Sequence, residues 1–130
     1  MPNHLVAHPG TSILMERALR SGHVEQVSAL AEAVPQSDFV YTDTWVDMEF
    51  YRDEAYREET ERRIRTMMPF QVNRQTLQGY APYLMHDMPV HPGFEIEEEL
   101  IESERSIVYR QAENRMYAQM ALILHLLGLG

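Results

Sequence analysis

The sequence predicts an α/β fold, a parallel sheet with helices on its faces. Three observations carry that expectation: short runs of branched and aromatic residues that suit strands, stretches between them with helical spacing, and short connections throughout. Taken in order, an apolar run at 5–7 is closed by Pro9-Gly10, after which Thr11 or Ser12 can cap a helix carrying Leu14/Ala18 and Met15/Leu19 at four-residue spacing, with Gly22 as its stop. Residues 24–28 read as a weak strand, 29–34 as a short helix, and Phe39-Val40-Tyr41 as a strand following the turn at 35–38. Between 53 and 67, Asp53/Arg57, Glu58/Arg62, Glu59/Arg63 and Glu61/Arg65 place acids one turn before bases, the pattern of a solvent-facing helix. Asn73 can cap a further helix ending near Gly79, and Tyr83-Leu84-Met85 is the next strand. Residues 95–104 hold six glutamates and no base, which predicts a solvated face rather than a buried element. Ile107-Val108-Tyr109 reads as the last strand. The final helix puts Met116, Met120, Ile123, Leu124 and Leu127 on one stripe, as if packed on the sheet.

With 130 residues and 45% apolar content, one domain with its own core is expected. Twenty acidic against eleven basic residues give a net charge of -9, which disfavours attraction to nucleic-acid phosphates or anionic membranes. No basic-then-apolar leader opens the chain, and the longest apolar stretch, 120–129, is broken by His125 and falls short of the roughly 20 residues that span a bilayer. A cytoplasmic protein is the simplest expectation. The absence of cysteine excludes disulfides, thiolate metal sites and cysteine catalysis.

Ligands of parallel sheets gather beyond the carboxyl ends of the strands, so the polar residues that follow the apolar runs are the candidate site. Three sets qualify: Asp43-Thr44-Trp45, His86-Asp87-Met88-Pro89, and 111–115 with Arg115. Asp43 can hold a cationic ligand or serve as a turn residue, and Trp45 suits a core or interface position. Asp87 can bind or deprotonate an amine, and His86 can polarise a developing oxyanion. His86, Asp87 and His91 also make an H-D-x-x-x-H set with metal-ligating side chains, although Pro89 and Pro92 prevent a regular helix that would give both histidines one face. Arg115 offers a forked donor for phosphate or carbonyl oxygen, or a partner for structural ion pairs.

Together and in order, these sets resemble the amino-acid-binding, C-terminal domain of the aspartate/ornithine carbamoyltransferase family. The family's D-x-W-x-S-M-G motif reads here Asp43-Thr44-Trp45-Val46-Asp47-Met48-Glu49, its H-C-L-P reads His86-Asp87-Met88-Pro89, its A-E-N-R reads Ala112-Glu113-Asn114-Arg115, and its Y-Q-V-N resembles Phe70-Gln71-Val72-Asn73. Four motifs in register over about residues 24–127 are specific. The resemblance implies a Rossmann-like sheet lacking part of the usual domain start, over 1–130, without the family's carbamoyl-phosphate domain and its S-T-R-T segment. It further implies that Asp43 faces the amino group of the second substrate, that the 86–89 turn lines the reacting centre, and that Arg115 contacts carbamoyl phosphate. His86 and Asp87 are then the catalytic candidates, with Asp43, Asp47, Met48, Met88 and Arg115 binding substrate. Carbamoyl phosphate and an amine are the implied partners, a homo-oligomer, trimeric in the family, the implied assembly, and no metal or other cofactor is called for.

Two departures bear on the substrate. The family's cysteine is Asp87, and its S-M-G is Asp47-Met48-Glu49, acids that would repel an α-carboxylate and favour a more cationic amine. Without a phosphate-binding segment, this chain alone is expected to be inactive. The competing expectations are a noncatalytic truncated module that associates with other subunits, and a metal-dependent hydrolase built on His86, Asp87 and His91.

Overall fold

The computed structural model describes residues 9–27 and 29–129; the apolar run at 5–7 lies outside them. Two strands, β1 (Phe39–Thr42) and β2 (Tyr83–His86), pair in parallel with Thr42 opposite His86. The elements between and around them are helical: α1 (Pro9–Arg20), α2 (Leu30–Ala33), α3 (Met48–Tyr51), α4 (Arg57–Met67), α5 (Arg74–Leu77), α6 (Glu98–Ile101) and α7 (Val108–Leu126). A mixed α/β unit with a parallel pair at its centre is therefore what the chain forms.

Local chemistry explains the shorter elements. Helix α1 already opens at Pro9, upstream of Thr11 and Ser12; proline's fixed φ and missing N–H suit a first helical position. It ends before Gly22, whose φ is +73°. Asn73 caps α5 by accepting from the Thr76 N–H at 2.8 Å while the Thr76 hydroxyl receives the Asn73 N–H at 2.9 Å, a reciprocal capping box. That helix stops at Gln78 and Gly79, both at positive φ. On α4 the Glu59–Arg63 and Glu61–Arg65 pairs form at 2.9 and 3.8 Å, but Arg62 turns to Glu59 rather than Glu58. Arg62 and then Arg63 hold the Glu59 carboxyl down at about 2. Asp53 does not meet Arg57; it accepts from the Ala55 N–H instead, capping a 3-10 turn that leads into α4.

The core is Val34, Val72, Leu77, Leu84, Ile96, Ile101 and Val108, drawn from both sides of β2. Each fully buried side chain of this kind contributes about 1.5–3 kcal/mol. Ile96 and Ile101 belong to the acid-rich stretch expected to be solvated throughout. Val72 donates to the Glu95 carbonyl and Glu97 to the Val72 carbonyl, which ties 95–97 against the core and buries Ile96 while Glu98 and Glu99 face water.

Three further expectations are corrected. Residues 24–27 form no strand; Val24 and Val27 are exposed, and no neighbouring strand among the described residues supplies a ladder. The 107–109 run is not a strand either. Ile107 precedes α7 and Val108 opens it, because the following residues, with no Gly or Pro before Gly128, propagate helix back into the apolar run. What survives of a third strand is one bridge, Leu84 to Ser106, with Ile107 donating to the Leu84 carbonyl. Finally, Met116, Met120, Ile123, Leu124 and Leu127 do not pack on the sheet. All five are exposed, since a two-stranded sheet of four residues per strand ends long before a helix of nineteen residues does.

Candidate functional site

Parallel register dictates where the candidate residues emerge. Thr42 and His86 are partners at the carboxyl ends of β1 and β2, so the next residues, Asp43 and Asp87, leave the sheet side by side. Asp43 is exposed and its Oδ1 accepts from the Thr44 N–H at 2.7 Å. Burial lifts the Asp87 carboxyl above the ordinary carboxylate range, the facing Asp43 carboxyl lifts it further, and His86 partly opposes both. Asp87 thus holds a proton more readily than an ordinary aspartate does.

His86 is wholly buried. Its N–H donates to Gln111 Oε1 at 3.1 Å, which fastens the end of β2 to the first turn of α7. Its Nδ1 accepts from the Met88 N–H at 2.8 Å and lies 3.3 Å from Asp87 Oδ1. With Nδ1 accepting, the neutral ring carries its proton on Nε2, and that buried nitrogen has no hydrogen-bond partner among the described residues. That donor is enclosed by protein. Met88 has φ +61°, a left-handed conformation that costs a methionine of order 1 kcal/mol, and is followed by a cis bond to Pro89. Its side chain is half-buried against the core, so Met88 offers the site its backbone. Arg115 Nη1 donates to the Asp87 carbonyl at 3.4 Å, and its guanidinium is otherwise exposed.

Asp43, His86, Asp87 and Arg115 are therefore brought together. Asp47 and Met48 stand apart from that cluster's hydrogen bonds: Asp47 is the exposed residue before α3 and makes no cap bond, and Met48 is exposed in its first turn. His91 diverges from His86. Its Nδ1 contacts Glu95 Oε1 at 3.2 Å and its ring lies on Tyr51, centroids 4.5 Å apart. Among the described residues no group of three or more His, Asp or Glu side chains is arranged to hold a metal ion.

Two site-building residues were not singled out by the sequence. Glu95, buried within the acid run, accepts from the N–H of Trp45 at 3.0 Å and of His91 at 2.8 Å. Thr44 donates its hydroxyl to the Pro89 carbonyl at 2.9 Å. Nothing local in the sequence distinguished either residue. Trp45 is buried, as its size suggested.

Residues 2–126 match the family model described as aspartate/ornithine carbamoyltransferase, Asp/Orn binding domain, so the likeness extends upstream of the first motif to include α1. Ornithine carbamoyltransferase of Methanopyrus kandleri is 46% identical over 100 residues, covering 75% of this chain and 30% of that protein. Among solved structures, ornithine carbamoyltransferase from Pyrococcus furiosus shares 34% identity at a TM-score of 0.66 over 84% of this chain and 34% of its own. The anabolic ornithine carbamoyltransferase from Campylobacter jejuni aligns with all of this chain and 42% of its own, at 28% identity and a TM-score of 0.73. This chain spans about a third of the length of the curated relatives it matches.

Proposed function

Because the chain belongs to the aspartate/ornithine carbamoyltransferase family through its Asp/Orn-binding domain, we propose that it holds the amine substrate for transfer of the carbamoyl group from carbamoyl phosphate. The observation that carries this reading is the side-by-side exit of Asp43 and Asp87 from paired strand ends, with a buried imidazole and an arginine beside them. In the reaction the amine nitrogen attacks the carbamoyl carbon, the new C–N bond forms, the C–O bond to phosphate breaks, and the amine gives up a proton.

Each residue has a role in that sequence. Asp43 and Asp87 receive the ammonium end, and Asp87, whose carboxyl binds a proton more readily than usual, accepts the proton as the nucleophile is released. A donor of the 86–89 turn serves the oxyanion of the tetrahedral intermediate, a contribution typically worth about 10²–10³ in rate, and the enclosed His86 ring sets that turn through the Met88 N–H. Arg115 contacts carbamoyl phosphate through guanidinium N–H groups not occupied by the Asp87 carbonyl. Asp47, Met48 and the Met88 backbone line the substrate's far side. The acids at 47, 49 and 87 favour a diamine, or another amine without an α-carboxylate, over ornithine. This chain holds no S-T-R-T segment, and by itself it binds amine without turnover.

Titration calorimetry of the chain with 1,4-diaminobutane and with ornithine tests the reading. Tighter binding of the diamine, weakened about tenfold (about 1.4 kcal/mol) by Asp43→Asn, is the expected result. Tighter binding of ornithine overturns the amine class, and binding indifferent to Asp43→Asn overturns the site. Carbamoylated product from this chain with carbamoyl phosphate overturns its incompleteness.

A second reading, a module that associates with further protein, is favoured by the exposed apolar residues of α1 and α7. Leu14, Met15 and Leu19 on the one and Met116, Met120, Ile123, Leu124 and Leu127 on the other are exposed, and exposed apolar faces of this kind mark interaction surfaces. The two readings are compatible.

A further inference from the structure

We propose that Glu95 is a positioning residue whose buried carboxyl group ties the loop after β1 to the loop after β2, and thereby sets the spacing of Asp43 and Asp87. Glu95 is 1% exposed yet lies in the most acidic stretch of the chain. Its side chain is spent on the site rather than on solvent. Oε1 accepts from the Trp45 N–H, two residues beyond Asp43, and Oε2 accepts from the His91 N–H, four residues beyond Asp87. Oε1 also meets His91 Nδ1 at 3.2 Å, which fixes the ring that closes the second loop against Tyr51.

Both oxygens of one rigid, planar group thus bind donors from two different loops. A buried carboxyl with two backbone donors on it cannot be withdrawn without leaving those donors unsatisfied, at a cost of about 1–3 kcal/mol each. The geometry therefore resists separation of the loops. Sheet register alone would not do this, since the last ladder pair is Thr42 with His86 and both loops are free of the sheet beyond it. The one other cross-loop hydrogen bond among the described residues near this point is Thr44 Oγ1 to the Pro89 carbonyl. Glu95 touches neither aspartate; it acts through the backbone of Trp45 and His91.

The object positioned is the acid pair of the proposed amine site, but the test reads the pair itself and holds whether or not an amine binds there. Side-chain carboxyl resonances of Asp43 and Asp87 are followed through a pH titration of the full chain by carbon-detected NMR, with His86 and Arg115, the other charged or titratable groups in contact with Asp87, intact. In Glu95→Gln an amide N–H₂ replaces one accepting oxygen and repels a backbone N–H. Asp87 is expected to titrate lower than in the parent, moving toward the ordinary aspartate value of about 3.9 by about half a unit, a threefold change in its proton affinity. Leu77→Ala, which opens the core but removes no hydrogen bond between the loops, serves as a control and should lower stability without that shift. If Glu95→Gln does not fold, Thr44→Val decides. It severs the second tie at a partly exposed position and is expected to shift Asp87 in the same direction by less. An Asp87 titration unmoved in the folded variant, or moved equally by Leu77→Ala, overturns the proposal.

Discussion

Replacing Asp87 with asparagine should stabilise the chain at neutral pH, and the effect follows from the sign of one proton-binding difference. Burial and the facing Asp43 raise the Asp87 carboxyl in the folded state above its unfolded value. A group raised in this way favours folding when protonated. Its stabilising contribution is complete below the unfolded value of about 3.9 and is lost as pH rises through the higher folded value. Above that folded value the ionised Asp87 therefore works against the fold. As a general scale, two unit charges about 4 Å apart at an effective dielectric near 20 repel by about 4 kcal/mol, but the Asp87 side chain is 40% exposed and Asp43 is exposed as well. Solvent screening reduces the figure to about 0.5–1 kcal/mol. Asparagine keeps the shape and removes the repulsion. Urea denaturation of the two chains at pH 7 should give Asp87→Asn the higher midpoint at an unchanged slope, a gain that disappears near pH 3.5. A stability equal or lower at pH 7, or a gain independent of pH, would refute the argument that these carboxyls face each other.

The capping box gives a second stability prediction: Asn73→Ala removes the acceptor for the Thr76 N–H and should cost about 1 kcal/mol by urea denaturation, whereas Asn73→Asp keeps an acceptor and should cost much less. The exposed apolar face of α7 gives a third. Light scattering at micromolar concentration should report a mass above the 15.2 kDa of one chain, and Ile123→Glu with Leu127→Glu should return it toward that value; a monomeric parent chain would refute self-association through this face.

What the sequence disclosed and what it withheld divide along the reach of the interactions involved. Helices α1, α4 and α5 were legible because their determinants, four-residue spacing, acid-before-base pairs and the Asn73 cap, lie within one turn of the residues they organise. Strands β1 and β2 were legible from branched and aromatic content. The 107–109 run carries similar content, yet Val108 and Tyr109 are helical, because the rest of the nineteen-residue α7 follows them with no breaker between. Intrinsic preference in a three-residue run is weaker than the context at its end. The final stripe failed for a different reason: amphipathic spacing states that a face wants cover, and it does not state that the described chain contains the cover.

The same distinction governs the site. Asp43, His86, Asp87 and Arg115 could be named in advance because each follows an apolar run, and the strand register then brings the first three to one edge. Glu95 could not. Among six glutamates without a base, the one that turns inward differs from its neighbours only by the N–H groups of two distant loops that it meets. Those donors are invisible until the loops are placed, and once they are placed a nonpolar residue at 95 would leave them buried and unsatisfied. An acid run that looks like uniform solvated surface can therefore conceal the side chain on which the geometry of a binding site rests, and hydrogen-bond bookkeeping for the backbone, rather than charge counting, is what singles it out.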